Sequence, residues 1–285
     1  MKTNPYYSVQ RPGNVGSMQD ATSGAGNTGD PFRVVNPEGR SPYVLICDHA
    51  SNNVPARFGP LGLSEYDMQR HIAWDPGAAA VARQIADVLD ATLVESTVSR
   101  LIVDCNRAAD APDLICAVSE TTAIPGNESL SAEDRAQRIA HAWQPFHDAL
   151  DAVVAARVAE GRETMLVAIH SFTPVYKGIK RPWHIGVLHD DDVQLAAPLI
   201  AAFSAESGIV VGDNQPYSPA DRVYFTLEKH GRARDLPCVM IEIRNDIISD
   251  EAGQARWSGL LSRHLEGTLA GLGGDAVFTH IAGEL

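Results

Sequence analysis

Pro42-Tyr43-Val44-Leu45-Ile46-Cys47-Asp48-His49-Ala50-Ser51-Asn52-Asn53 is the stretch from which the rest of the chain can be read. Five apolar residues between a proline and a polar cluster suit a strand covered on both faces, since a strand with one wet face would alternate polar and apolar side chains. Runs of the same kind recur at residues 92–95, 101–104, 165–169, 185–188, 209–211 and 239–243. Helical patterns lie between them. Residues 76–89 carry Ala and Val at helical spacing, and Asp75-Pro76 suits an N-cap and first-turn pair. Residues 131–159, 193–207 and 251–272 complete the set. Strands alternating with helices predict an α/β fold, one sheet with helices on both faces.

Residues 1–40 are rich in Gly, Asn, Ser, Pro and Thr, as in Gly24-Ala25-Gly26-Asn27-Thr28-Gly29-Asp30-Pro31, and predict a poorly ordered or surface-draped arm. Residues 41–285 then form a single domain, because no repeat or Pro-rich linker divides them. With 45% hydrophobic and 21% charged residues in 285, the chain can fill a sizeable core. Lys and Arg number 23 against 36 Asp and Glu, a net charge of -13 that argues against nucleic acid or an anionic membrane as partner. Arginines in a cleft still define a local anion site, because the overall field is screened beyond roughly 8 Å. Cys47, Cys105, Cys116 and Cys238 form no CxxC pair and read as small buried hydrophobes in a reducing compartment. No signal-peptide pattern opens the chain and no apolar run reaches the roughly 18 residues of a membrane span, so the expected location is the cytoplasm. The oligomeric state is open.

In an open α/β sheet ligands collect at the carboxyl ends of the strands. Here those ends carry Asp48-His49, Asp104-Cys105-Asn106-Arg107, His170-Ser171 and Glu242-Ile243-Arg244-Asn245-Asp246. One histidine at a strand end is ordinarily a hydrogen-bonded residue. Two, with a glutamate at a further strand end, make a set that can hold Zn²⁺, each imidazole giving one nitrogen while a carboxylate and a water complete the coordination. Asp75 is the preferred third ligand, although capping the following helix would equally account for an Asp before a Pro. Asn52 has suitable spacing from His49, but its neutral amide oxygen is a poor zinc ligand. Asp48 and Asp104 are alternatives that would orient a histidine. Arg100 and Arg107 each have an ion-paired structural reading, with Asp104 and Asp110 as partners.

The strings Ile46-Cys47-Asp48-His49-Ala50-Ser51-Asn52, Ser99-Arg100-Leu101-Ile102-Val103-Asp104-Cys105-Asn106-Arg107, Ile169-His170-Ser171-Phe172, Gly212-Asp213-Asn214-Gln215-Pro216-Tyr217-Ser218 and Ile241-Glu242-Ile243-Arg244-Asn245-Asp246 resemble the N-formylglutamate amidohydrolase family. The resemblance runs from about Tyr43 to the C-terminal helix. It implies a fold similar to zinc carboxypeptidases and aspartoacylases, a mixed and mostly parallel sheet with one zinc at the strand ends. It also implies hydrolysis of the amide of a small anionic N-acyl amino acid, N-formyl-L-glutamate first. By the same resemblance His49 and His170 match the metal histidines, and Glu242 the general base and acid. Asn106-Arg107 matches a pair that grips a substrate carboxylate, and Arg100 an arginine beside the scissile carbonyl. Arg244 is a further candidate for substrate binding. Zinc peptidases carry His-x-x-Glu, whereas Asn52 stands at the last place of that pattern here. Tyr217 reads as packing or as a transition-state donor, and His230, in the loop signal Lys229-His230-Gly231, as a surface residue or one that supports the site from behind, in preference to a ligand. The rival readings are a zinc hydrolase of another acyl amino acid or cell-wall amide, and a binding protein on the same fold.

Overall fold

A computed structural model describes residues 29–275. Seven strands form one sheet: β1 (Phe32–Val35), β2 (Tyr43–Cys47), β3 (Thr92–Ser96), β4 (Met165–Phe172), β5 (Ile185–Leu188), β6 (Val211–Asp213) and β7 (Cys238–Arg244). Their order is β1-β3-β2-β4-β7-β5-β6. β3, β2, β4 and β7 run parallel, β1 and β5 are antiparallel to their inner neighbours, and β6 is parallel to β5. The sheet is therefore mixed and mostly parallel.

Side chains of a strand alternate between faces, and both faces here are dry. Leu45, Val167, Ile169, Val239 and Ile241 pack against helices α1 (Ala78–Leu89), α3 (Ala196–Ser204) and α5 (Glu251–Asp275). Val44, Ile46, Leu166, Ala168 and Met240 pack against α2 (Gln144–Ala159) and α4 (Phe225–His230). Ala168 and Met240 share that second face with the next alternating positions, His170 and Glu242, which are cross-strand partners. A third cluster, around Leu101, Ile102, Leu114, Ile124 and Trp143, lies in the connection after β3.

Three sequence expectations change. The segment 101–104 is not a strand; it turns, with the Ile102 N–H on Ser99 O at 2.9 Å and the Asp104 N–H on Leu114 O at 2.9 Å. Its apolar run is enclosed by a loop cluster instead of two helix layers, a distinction that a short run does not carry. The strand expected at 209–211 is displaced to Val211–Asp213. Residues 1–28 of the expected arm lie outside the described residues, but Phe32–Val35 joins the sheet edge, Phe32 opposite Ser96 through Val35 opposite Leu93. The folded unit thus begins before residue 41. Composition hid this strand because an edge strand needs one neighbour only, and its charged Arg33 is answered by Glu95 at 3.1 Å.

Among the described residues no helix is long and apolar enough to cross a membrane.

Candidate active site and cation-binding centre

Five side chains from four segments form an alternating chain of acid and imidazole. Asp104 Oδ1 stands 2.7 Å from His49 Nε2, and His49 Nδ1 is 3.4 Å from Asp75 Oδ2. The same Asp75 Oδ2 is 2.9 Å from His170 Nδ1, and His170 Nε2 is 3.1 Å from Asp48 Oδ2. All five are buried. Asp48 and His49 follow β2, and His170 lies within β4. Asp75 is tied in by its backbone N–H on His49 O at 3.0 Å, and its carboxylate accepts the Ser171 N–H at 3.2 Å. It does not cap α1, whose N-cap is Gly77 in the left-handed region (φ 83°) with its Cα against Ile248. A Cβ there would sit 2.4 Å from Ile248 O, so glycine lets the turn deliver Asp75 to the histidines.

The donor set decides what the centre can hold. Both nitrogens of each ring face a carboxylate; with the Nε2 protons held by Asp104 and Asp48, the two Nδ1 atoms, directed at the shared Asp75, are the ones that can give a lone pair to a cation. Three such atoms, all within 4.8 Å of one another, are completed by a proton or by a metal cation. Burial alone would lower the His170 pKa, but hydrogen bonds to Asp48 and Asp75 raise it well above the ordinary value. His49 is raised likewise, with burial and Arg100 opposed by Asp104 and Asp75. Burial pushes Asp75 up, and the two imidazoles outweigh it and hold the carboxyl well below its ordinary range. His49, Asp75 and His170 thus fit a metal ion, with Asp104 and Asp48 orienting the rings. Thr226, on α4, donates to Asp48 Oδ1 at 3.0 Å and so fixes the outermost acid.

Glu242 stands beside His170 on the neighbouring strand. It is buried, and its Oε2 has no hydrogen-bond partner among the described residues. Burial pushes its pKa up to about 7, against the pull of His170 and with the push of Asp75. Arg100 closes the cluster, donating to Asp104 Oδ2 at 2.6 Å and lying 3.5 Å from Asp75 Oδ1.

His49, Asp75, Arg100, Asp104, His170 and Glu242 line one cavity of about 300 Å³. Arg107 also lines it, paired with Asp113 at 3.0 Å and not with the expected Asp110. Asn106 reaches the cavity, but its amide is engaged by backbone: it donates to Val223 O and accepts the Thr226 N–H at 3.1 Å. Its position therefore makes it an anchor for the 223–226 segment. Arg244 is not among the cavity's lining residues; its guanidinium turns to Asp246 at 2.7 Å and to Trp183 O at 3.4 Å. A charged neighbour two residues on captures it where β7 ends. Asn52 spends its amide on Met68 O at 2.9 Å, outside the donor set. Tyr217 lines the cavity. So do His71 and Glu120, 3.2 Å apart, which no sequence signal marked.

His230 is fully buried on α4 and not in a loop, because Tyr224 and Leu227 dock that short helix on the sheet. Its Nε2 meets His147 Nδ1 at 2.9 Å, and His147 Nε2 donates to Cys105 O at 2.9 Å. Burial pushes His147 down to about 4 and His230 to about 3. The unfolded chain gains protons below about pH 6.5, which the folded pair resists until those lower values. The contribution of the pair is therefore complete above pH 6.5 and is lost as pH falls towards 4 and below. Two such groups steepen the stability–pH curve near pH 5 by up to about 2.7 kcal/mol per unit, and His230→Leu is expected to remove about half of that slope. Urea unfolding between pH 6.5 and 4.5 measures it; an unchanged slope would mean that His230 is protonated in the fold.

A mixed α/β sheet that brings to its strand ends a histidine–aspartate group able to hold a cation, beside a buried glutamate, is an arrangement suited to hydrolysis of an amide. The sequence profile described as N-formylglutamate amidohydrolase matches residues 41–249, and the chain belongs to that family. The crystal structure of gene product Atu2144 from Agrobacterium tumefaciens is 41% identical, with a TM-score of 0.84 over 86% of this chain and 97% of that one. The N-formylglutamate amidohydrolase from Ralstonia eutropha JMP134 is 22% identical, with a TM-score of 0.60 over 85% of this chain and 99% of that one, and shares the fold. No curated protein sequence matches.

Proposed function

We propose that this chain hydrolyses the amide bond of a small anionic N-acyl amino acid, N-formyl-L-glutamate first, releasing formate and L-glutamate. The observation that carries the reading is the pairing of Glu242 with His170 across adjacent strands, beside the His49–Asp75–His170 donor set. A neutral-titrating carboxyl there can both take a proton and return it. A divalent cation held by those three residues, Zn²⁺ by the two-histidine, one-carboxylate choice, would polarise the scissile carbonyl and acidify a water.

The residues of the chain perform the remaining work. Glu242 removes the proton from the attacking water and delivers it to the departing nitrogen. Arg100, held by Asp104 and Asp75, presents its guanidinium to the oxygen on which charge develops. Arg107 pairs with a substrate carboxylate through its fixed fork of donors.

The test is formate release from N-formyl-L-glutamate set against acetate release from N-acetyl-L-glutamate and formate release from N-formyl-L-leucine. The expected outcome is a kcat/KM at least tenfold higher for N-formyl-L-glutamate than for either competitor. A preference for the acetyl compound would assign the enzyme to a different acyl amino acid, and no turnover of any, with metal bound, would leave a binding protein.

A further inference from the structure

Arg181 carries a charge that the fold does not answer. It is nine-tenths buried, yet among the described residues no carboxylate lies within ion-pair distance of it. Its guanidinium stands 4.6 Å from the ring centres of both Tyr176 and Tyr217 and 5.8 Å from that of Phe172. Aromatic faces return to a cation only a part of what burying an unpaired ion costs. Arg100 and Arg107, the two arginines that line the cavity, differ, since both have aspartate partners.

The three rings around Arg181 all line the cavity, and the guanidinium stands behind them, itself outside the lining residues. Arg181 Nη1 donates to Tyr217 Oη at 2.9 Å, so the phenol oxygen is occupied as an acceptor and its own proton is the free end. Burial, with the charge of Glu242, pushes Tyr217 up to about 12, so that proton stays in place at neutral pH. The loop before it approaches the sheet closely: a Cβ on Gly186 would lie 2.0 Å from Gln215 O, so the tyrosine is seated by a contact that only glycine admits.

We propose that Tyr217 and Arg181 together receive a second carboxylate of the substrate, Tyr217 giving the hydrogen bond and Arg181 the countercharge, so that the cavity selects dicarboxylates. Arg107 then faces the first carboxylate. The choice of anion rests on the substrate reading above; the anion site itself does not. A ligand with one carboxylate leaves the buried guanidinium unanswered, and that is the source of the selection.

The test uses glutarate and its half-amide, which contain no N-acyl group, titrated by calorimetry into the wild-type protein, Arg181→Met and Tyr217→Phe. Wild type is expected to bind glutarate at least tenfold more tightly than the half-amide. Arg181→Met is expected to weaken glutarate about 10- to 100-fold and the half-amide less than twofold, so that the preference disappears. Tyr217→Phe is expected to weaken glutarate by about tenfold with the cage intact. Equal losses for both ligands would reduce Arg181 to a packing residue, and no preference in the wild type would overturn the site. If Arg181→Met does not fold, Tyr217→Phe and Arg181→Lys decide: undiminished diacid preference in Tyr217→Phe overturns the proposal. Diacid preference without hydrolysis of N-formyl-L-glutamate would remove that substrate and leave the anion site standing.

Discussion

Glu242→Gln is expected to lower kcat by about 10²- to 10⁴-fold, the range over which positioned acid–base groups act, with KM changed less than about threefold. Glutamine keeps the size and one oxygen of the side chain but cannot accept a proton. The loss falls on turnover because Glu242 is placed to handle protons, not to bind substrate. Metal content should be retained, because Glu242 is not one of the three converging donors. Stability should be equal or higher: the carboxyl is buried with Oε2 unpartnered, and a neutral amide relieves that desolvation. Steady-state kinetics, metal analysis and thermal melting on one preparation check all three. Turnover within threefold of wild type would remove Glu242 from the chemistry.

Removal of the proposed cation is the second large perturbation. Dialysis against a chelator is expected to abolish turnover, and one equivalent of Zn²⁺ to restore it. His170→Ala should bind no metal and regain nothing. The reason lies in local charge: Asp75 contacts both imidazoles, Asp104 contacts His49, Asp48 contacts His170, Glu242 adjoins His170, and the arginine in the cluster is Arg100, so that with neutral imidazoles the carboxylates outnumber the cation. A divalent cation relieves that excess of negative charge. Its binding to the folded chain alone stabilises by about 4 kcal/mol at a thousandfold excess over Kd, so the melting temperature should fall on chelation. Full activity in protein shown to be metal-free, with an unshifted melt, would refute the cation's role.

Much of the sheet was legible because burial on both faces leaves uninterrupted apolar runs. Tyr43–Cys47 and Ile185–Leu188 match their expected bounds, Met165–Phe172 extends its run to take in His170, and Cys238–Arg244 adds one residue at each end of a run that already held Glu242. Residues 101–104 show the limit of that signal, since a run enclosed by loops has the composition of one enclosed by helices. Phe32–Val35 shows the converse, a strand concealed in polar surroundings because its partner supplies most of the order. The helix that carries His230 escapes the sequence pattern because six residues are too few to display its period.

The sequence by itself determined the layered α/β plan and the grouping of His49, His170 and Glu242, because charged groups at the ends of buried strands must find partners there. Tertiary structure alone decided that Asp75 enters the donor set instead of capping α1, that Asn106 holds backbone, that Arg244 turns to Asp246, and that Arg181 is left without a carboxylate. The physical reason is reach. Asp75 meets His49 across 26 residues and Asp48 meets His170 across 122, so their pairing depends on how loops pack over the strand ends, and no local pattern records that.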